Sequence, residues 1–207
     1  MLDGVMRRLI DPVTGQLGRR LAASGVSADQ LTLAGFLLGM GCALAIVLRW
    51  DTAALLLLAA NRVLDGLDGA AARATRTTDR GGFLDIVCDF IFYGAVPLAF
   101  ALRDPAANAL PAAALLAAFY ANGASFLAFS AIAAKRGMTS GRRGPKSLYF
   151  TTGLTEGTET IALFAALILF PDHFMLLALP FAFLCMITCL SRIMLAWHVF
   201  GVDEPAN

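Results

Sequence analysis

The sequence predicts an all-α integral membrane protein, a bundle of six transmembrane helices preceded by an amphipathic helix at the membrane interface. Three observations lead there. The 207 residues are 58% hydrophobic with a mean hydropathy of +0.72, too apolar for an ordinary soluble domain. Apolar runs close to the ~20 residues needed to cross a bilayer recur along the chain, divided by short charged or proline-bearing breaks. The first 26 residues read differently, as an amphipathic stretch with arginines off its apolar stripe. The expected division is therefore residues 1–26, an interfacial segment, and residues 27–207, the six-helix transmembrane domain.

In the N-terminal segment, Val5, Leu9, Val13, Leu17 and Leu21 recur at every fourth position, and Arg7, Arg8, Arg19 and Arg20 lie off that stripe. Asp11-Pro12 reads as a helix start. Charges at Asp3, Arg7, Arg8 and Asp11 stand where a signal peptide would need its apolar core. Ser27-Ala-Asp-Gln30 has the form of a capping box and opens the first span, 31–48, where Gly35, Gly39 and Gly41 permit close helix packing. The second span is expected over 53–74, the third over 83–102, the fourth over 111–134, the fifth over 148–170 and the sixth over 174–199, with Pro180 as a kink. Cys42, Cys88, Cys185 and Cys189 all fall in hydrophobic runs, where cysteine packs as a small apolar residue.

Charge asymmetry orients the bundle. Of 16 Lys and Arg, twelve lie in the N-terminal segment, the turn between the second and third spans, and the loop between the fourth and fifth. Arg49 and Arg103 fall in the opposite loops, and Arg62 and Arg192 within spans. The positive-inside rule then puts both termini and the 65–89 turn in the cytoplasm.

The chemistry concentrates between Asp65 and Asp89. Asp65 and Asp68 are three apart and share a helix face with Ala72; Asp85 and Asp89 are four apart on the next helix. A polar run from Arg73 to Arg80 separates the pairs and marks a turn in water. Carboxylates at membrane depth are costly, so four within this stretch need a common reason. With no basic partner read between them, a divalent cation, or two, supplies the compensation, and an oxygen-only donor set favours Mg²⁺ or Mn²⁺. Gly69, Gly81 and Gly82 allow close backbone approach, and Arg73 at the mouth can hold a phosphate by paired hydrogen bonds. A metal-bridged pyrophosphate is the ligand this stretch suggests.

The pattern D-x2-D-G-x2-A-R … G-x3-D-x3-D, here Asp65, Asp68, Gly69, Ala72, Arg73, Gly81, Asp85 and Asp89, resembles the signature of the CDP-alcohol phosphotransferases, also called CDP-alcohol phosphatidyltransferases, of the bacterial type. The seven residues between Arg73 and Gly81 make a turn slightly shorter than that resemblance leads one to expect. The resemblance implies transfer of a substituted phosphate from a CDP-alcohol to a second alcohol with release of CMP. It implies metal ligation by Asp65, Asp68, Asp85 and Asp89, with Asp89 also the base on the acceptor hydroxyl. It places Gly69, Ala72, Arg73 and Gly81 around the cytidine diphosphate, with Thr78 and Thr32 assisting. Expected cofactors are two Mg²⁺ or Mn²⁺ ions. Expected partners are CDP-diacylglycerol, a polar alcohol, membrane lipids and a second copy in a homodimer, with no nucleic acid. The expected location is the bacterial inner membrane, with the site on the cytoplasmic face.

The acceptor stays open between a glycerol or inositol phosphate and inositol, serine or another polar alcohol. Arg192, deep in the sixth span, reads either as an acceptor-phosphate clamp or as half of a structural ion pair. Arg143 and Lys146 in the basic loop are topology signal or phosphate contacts. Together they favour a phosphorylated acceptor. Glu156 and Glu159, three apart on the fifth span, either line a pocket for an amine or polyol, or pair with an arginine such as Arg62 or Arg192. The reversed reaction type, CDP-choline or CDP-ethanolamine with diacylglycerol, is an alternative. A cation-binding transporter is the alternative from another class. Against it, the acids cluster near one membrane face and do not line a path.

Overall fold

The computed structural model describes residues 14–138 and 155–201, and those residues are helical apart from short connections. α1 covers residues 14–23. It is followed by α2 (Ala28–Val47), α3 (Asp51–Ala74), α4 (Asp79–Arg103), α5 (Pro105–Lys135), α6 (Gly157–Leu169), one 3₁₀ turn (Pro171–His173) and α7 (Phe174–Phe200).

Local signals account for most boundaries. Ser27 accepts from the Gln30 amide at 3.2 Å while the Gln30 side chain accepts from the Ser27 amide at 3.0 Å, so the expected capping box forms. α3 starts directly at Asp51 after Arg49 takes a left-handed φ of 61°, which reverses the chain within two residues. Thr78 caps α4 by accepting from the Gly81 amide at 3.1 Å. Asp104 caps α5, with Pro105 at its first turn, so this helix begins six residues before the expected Pro111. Pro97, Pro111 and Pro180 all lie inside continuous helices.

α2, α3, α4 and α7 match the first, second, third and sixth expected spans to within four residues, and α5 covers the fourth with its start six residues earlier. α2, α4, α5 and the segment Pro171–Phe200 are long and apolar enough to cross a membrane. α3 is long enough, but its charges dilute its hydropathy. α6 has 13 residues: it starts at Gly157 behind Glu156, nine residues after the start expected at 148, and 148–154 lie outside the described residues.

α2 packs mainly against α3 and α4, α4 against α5, and α5 against α7. The core is aromatic. The Phe92 and Phe164 rings meet edge-on at 5.7 Å, and Phe100 stacks on Phe174 at 4.8 Å, which ties α4 to α6 and α7. A smaller cluster of Leu31, Leu67 and Ala71 receives Leu21 and Ala22 from α1. α1 docks on α3 through Thr14 and Gly18, both buried, while Leu17 of the expected stripe is turned outward. A methyl added at Gly18 would stand 2.6 Å from the Ala70 Cβ, so the contact needs glycine. All four cysteines are buried and unpaired.

Leu37, Leu56, Leu110, Phe183 and Trp197 are 68–81% exposed, an outward apolar surface suited to lipid. At the end remote from the acidic stretch, Arg103 pairs bidentately with Asp51, and Arg49 donates to the Arg103 carbonyl at 2.9 Å. The two breaks read separately in the sequence, at 49–51 and 103–105, thus form one joint.

Candidate active site

α3 and α4 both pack against α2, and the acids that the three- and four-residue spacings put on one face of each helix border one pocket beside it. Carboxylate oxygens of Asp65, Asp85 and Asp89 lie within 4.8 Å of one another. Asp68 borders the same pocket but is buried deeper, and its carboxylate accepts from the Thr32 hydroxyl at 2.6 Å. The structure thus gathers three of the four predicted ligands and holds the fourth beside them through α2.

The expectation that no base accompanies these acids is corrected. Arg62 lies one turn before Asp65 on α3, its guanidinium 3.5 Å from the Asp65 carboxylate and donating to the Asp89 carboxylate at 3.2 Å. Its Nε donates to Asn61 Oδ1 at 2.7 Å, and the guanidinium lies 5.4 Å from the Phe92 ring centre. The i,i+3 spacing of Arg62 and Asp65 was the available sequence signal. The reach to Asp89 depends on how α3 and α4 are both seated on α2, which spacing alone does not show.

Beside the acids, the N-terminus of α2, the end of α3 and the start of α4 enclose an open cleft. Thr32, Asp68, Gly69, Ala72, Thr78, Gly81 and Asp85 line it, so five of the six predicted nucleotide residues are together. The sixth, Arg73, folds its guanidinium back over Gly69, within 3.2 Å of where a Cβ there would stand. Gly82 faces open space. Sequence reasoning missed Asp29, Arg76 and Thr77 on the cleft wall. Asp29 also accepts from Arg80 at 2.6 Å and so pins the start of α4 to the start of α2.

The remaining predicted residues lie elsewhere. Arg192 is 8% exposed; one guanidinium nitrogen donates to the Asn122 carbonyl and side-chain oxygen, both at 3.0 Å, and to the Ser125 hydroxyl at 2.7 Å, joining α7 to α5. Glu156 and Glu159 are half-buried at the start of α6, where a position inside a span was expected. The Glu159 carboxylate accepts from the Glu156 amide at 3.2 Å, a helix-start role that neither sequence reading included. Arg143 and Lys146 lie outside the described residues.

An oxygen-rich group of three converging carboxylates fits a hard divalent cation, since such ions take carboxylate oxygens and tolerate a shared, partly solvated site. A family model of the CDP-alcohol phosphatidyltransferases matches residues 26–202, a span that includes every residue of this cleft. The chain belongs to that family. Among curated relatives, inner membrane protein YnjF of Escherichia coli is 47% identical over 93% of this chain and 94% of its own. The archaetidylinositol phosphate synthase of Pyrococcus horikoshii is 37% identical over 43% of this chain and 47% of its own. The fold is shared with the phosphatidylinositol phosphate synthase of Mycobacterium tuberculosis. Its structure with CDP-DAG bound gives a TM-score of 0.67 at 24% identity, covering 95% of this chain and 100% of that one. Its complex with manganese and citrate gives 0.66 at 25%, covering 94% of each chain. As a CDP-alcohol phosphatidyltransferase family member the protein is placed among transferases of phospholipid biosynthesis.

Proposed function

We propose that this family member moves a phosphatidyl group from CDP-diacylglycerol to a polar alcohol and releases CMP. The observation that carries the reading is the convergence of Asp65, Asp85 and Asp89 at the head of the cleft lined by Gly69, Ala72, Thr78 and Gly81. Asp65, Asp68, Asp85 and Asp89 would hold two divalent ions, Mg²⁺ or Mn²⁺, and the manganese complex of a structural relative at 25% identity supports that choice. Bound there, the ions supply charge neutralisation at the phosphate oxygens and the leaving CMP.

This chain's residues do the rest. Gly69 and Gly81 present backbone without side chains to the diphosphate, and Ala72 and Thr78 flank it. Arg73 and Arg76, at the turn between α3 and α4, offer guanidinium groups to phosphate oxygens. An alcohol hydroxyl has a high pKa, so its proton must leave as the new P–O bond forms, and Asp89 takes it. Arg62 holds one Asp89 oxygen, which fixes the carboxylate and would leave its other oxygen for the acceptor hydroxyl.

The archaetidylinositol phosphate synthases among the relatives favour a phosphorylated polyol acceptor of the inositol phosphate class. Arg192 with Arg143 and Lys146 would receive that phosphate, and Glu156 and Glu159 would line the side of the pocket that takes the polyol hydroxyls. In this reading α2, α3, α4, α5 and α7 each cross the membrane, α6 belongs to the fifth span expected over 148–170, and residues 1–26 form the interfacial segment, of which α1 is docked on α3. Both termini and the cleft face the cytoplasm of a bacterial inner membrane, as the basic turns support, and the protein works as a homodimer.

The experiment is CMP release by detergent-purified protein with CDP-diacylglycerol, Mg²⁺ or Mn²⁺, and inositol phosphate against glycerol phosphate, inositol and serine. Release dependent on the inositol phosphate supports the full reading. Release with a different acceptor keeps the reaction and replaces the acceptor.

A further inference from the structure

Arg62 lies outside the eight-position signature, yet it contacts two of the four acids that the signature contains. It is not a wandering surface arginine. Its side chain is 20% exposed. Nε is held by Asn61, whose own amide donates to the Gly35 carbonyl at 2.8 Å and is buried at the α2–α3 contact. Phe92, fully buried, lies against the guanidinium face, and the same ring lies close to Gly39, where an added Cβ would come within 2.8 Å of it. α2, α3 and α4 therefore meet at this one guanidinium.

We propose that Arg62 is a built-in counter-ion that competes with the divalent metal for Asp65 and Asp89, and so sets metal affinity in this chain. The inference rests on the metal-site reading above. Its physical basis is that the guanidinium and a cation seek the same oxygens: Asp65 and Asp89 belong to the three-carboxylate group and also to the two Arg62 contacts. A fixed positive charge beside a site for a double positive charge opposes binding, and low polarity around it strengthens the opposition. The same charge stabilises the bundle when metal is scarce, because carboxylates left to face one another in an apolar setting repel. Arg62 is thus a positioning residue. It keeps Asp89 oriented and keeps metal binding weaker than the carboxylates alone would make it.

The test is a Mn²⁺ titration followed by electron paramagnetic resonance, on detergent-purified wild type, Arg62→Gln and Arg62→Lys, with the thermal midpoint of each in chelator. Gln can still donate to Asn61 but carries no charge. Lys keeps the charge but lacks the fork that spans two carboxylates. Arg62→Gln is expected to bind Mn²⁺ roughly tenfold more tightly than wild type, with a lower midpoint in chelator and a larger rise on adding Mn²⁺. Arg62→Lys is expected to fall between the two. Unchanged or weaker Mn²⁺ binding in Arg62→Gln overturns the proposal, and if that variant does not fold, unchanged or weaker binding in Arg62→Lys does the same. Absence of Mn²⁺ binding in wild type overturns the metal reading itself, a separate outcome.

Discussion

The Thr32 hydroxyl donates to the Asp68 carboxylate across 2.6 Å and thereby joins α2 to the acidic face of α3. Thr32 also lines the cleft beside Gly69 and Gly81. One residue expected to touch nucleotide thus touches a predicted metal ligand as well. Replacing it with valine keeps the shape and removes a hydrogen bond to a charged group, an interaction worth about 1.5–3 kcal/mol. Thr32→Val is expected to weaken Mn²⁺ binding roughly tenfold or more and to lower turnover at limiting metal. Saturating metal should recover most of that turnover. Titrating activity against Mn²⁺ checks both halves, and a turnover defect that ignores metal concentration would place Thr32 on the nucleotide alone.

Asp89→Asn removes the proposed proton acceptor while keeping the side chain's size and one oxygen for Arg62. Turnover is expected to fall by at least ~10²-fold, the lower range for a general base. CDP binding, followed by calorimetry in the presence of saturating Mn²⁺, should fall far less than turnover, because three of the four proposed metal ligands and the cleft walls are untouched. Near-normal turnover would remove Asp89 from the base role.

Metal should stabilise the fold through the same carboxylates. At a Mn²⁺ concentration of ~100 times the dissociation constant, linkage gives about 2.7 kcal/mol, read as a rise in thermal midpoint. Asp65→Asn and Asp85→Asn are each expected to remove most of that rise. A rise of equal size in both variants would show that Mn²⁺ acts elsewhere.

The opposite end of the bundle offers a control without chemistry. Arg103 and Asp51 join the two far loops, and Arg103 is 9% exposed. Asp51→Ala leaves that arginine without its carboxylate, at an expected cost of roughly 2 kcal/mol, reduced from the cost of breaking a fully buried pair because Asp51 is 35% exposed. The thermal midpoint should drop, while the metal dissociation constant should not change. Linked loss of metal binding would mean that the two ends of α3 are coupled.

Gly18 tests the docking of α1. Leucine there cannot fit against Ala70, so α1 is expected to detach and expose Arg19 and Arg20 to trypsin. Several-fold faster cleavage at that point is the expected result, and an unchanged rate would mean that α1 is held by other contacts.

Much of this organisation was readable in the residues. Ser27 and Gln30 announced the start of α2 because a capping box is a local device that needs no tertiary context. The spacings of Asp65 with Asp68 and of Asp85 with Asp89 announced two acidic faces, since helical period is also local. What escaped depends on packing. Arg62 reaches Asp89 from a different helix, and Arg103 reaches Asp51 across 52 positions of sequence. Hydropathy alone puts Glu159 inside a span that starts upstream; with the helix beginning at Gly157, its bond to the Glu156 amide follows. Leu17 points outward because Gly18 allows α1 to approach α3 more closely than a leucine stripe would, a choice that hydropathy does not reveal.

The central claim is that the acids at the head of the α2–α3–α4 cleft perform metal-dependent transfer from CDP-diacylglycerol. The most direct measurement is CMP release with inositol phosphate as acceptor, made on wild type and Asp89→Asn, first in chelator and then after adding Mn²⁺. The account predicts release by wild type only after Mn²⁺ is added and only with acceptor present, and none from Asp89→Asn. Release in chelator at the same rate, or from Asp89→Asn at the wild-type rate, would contradict it.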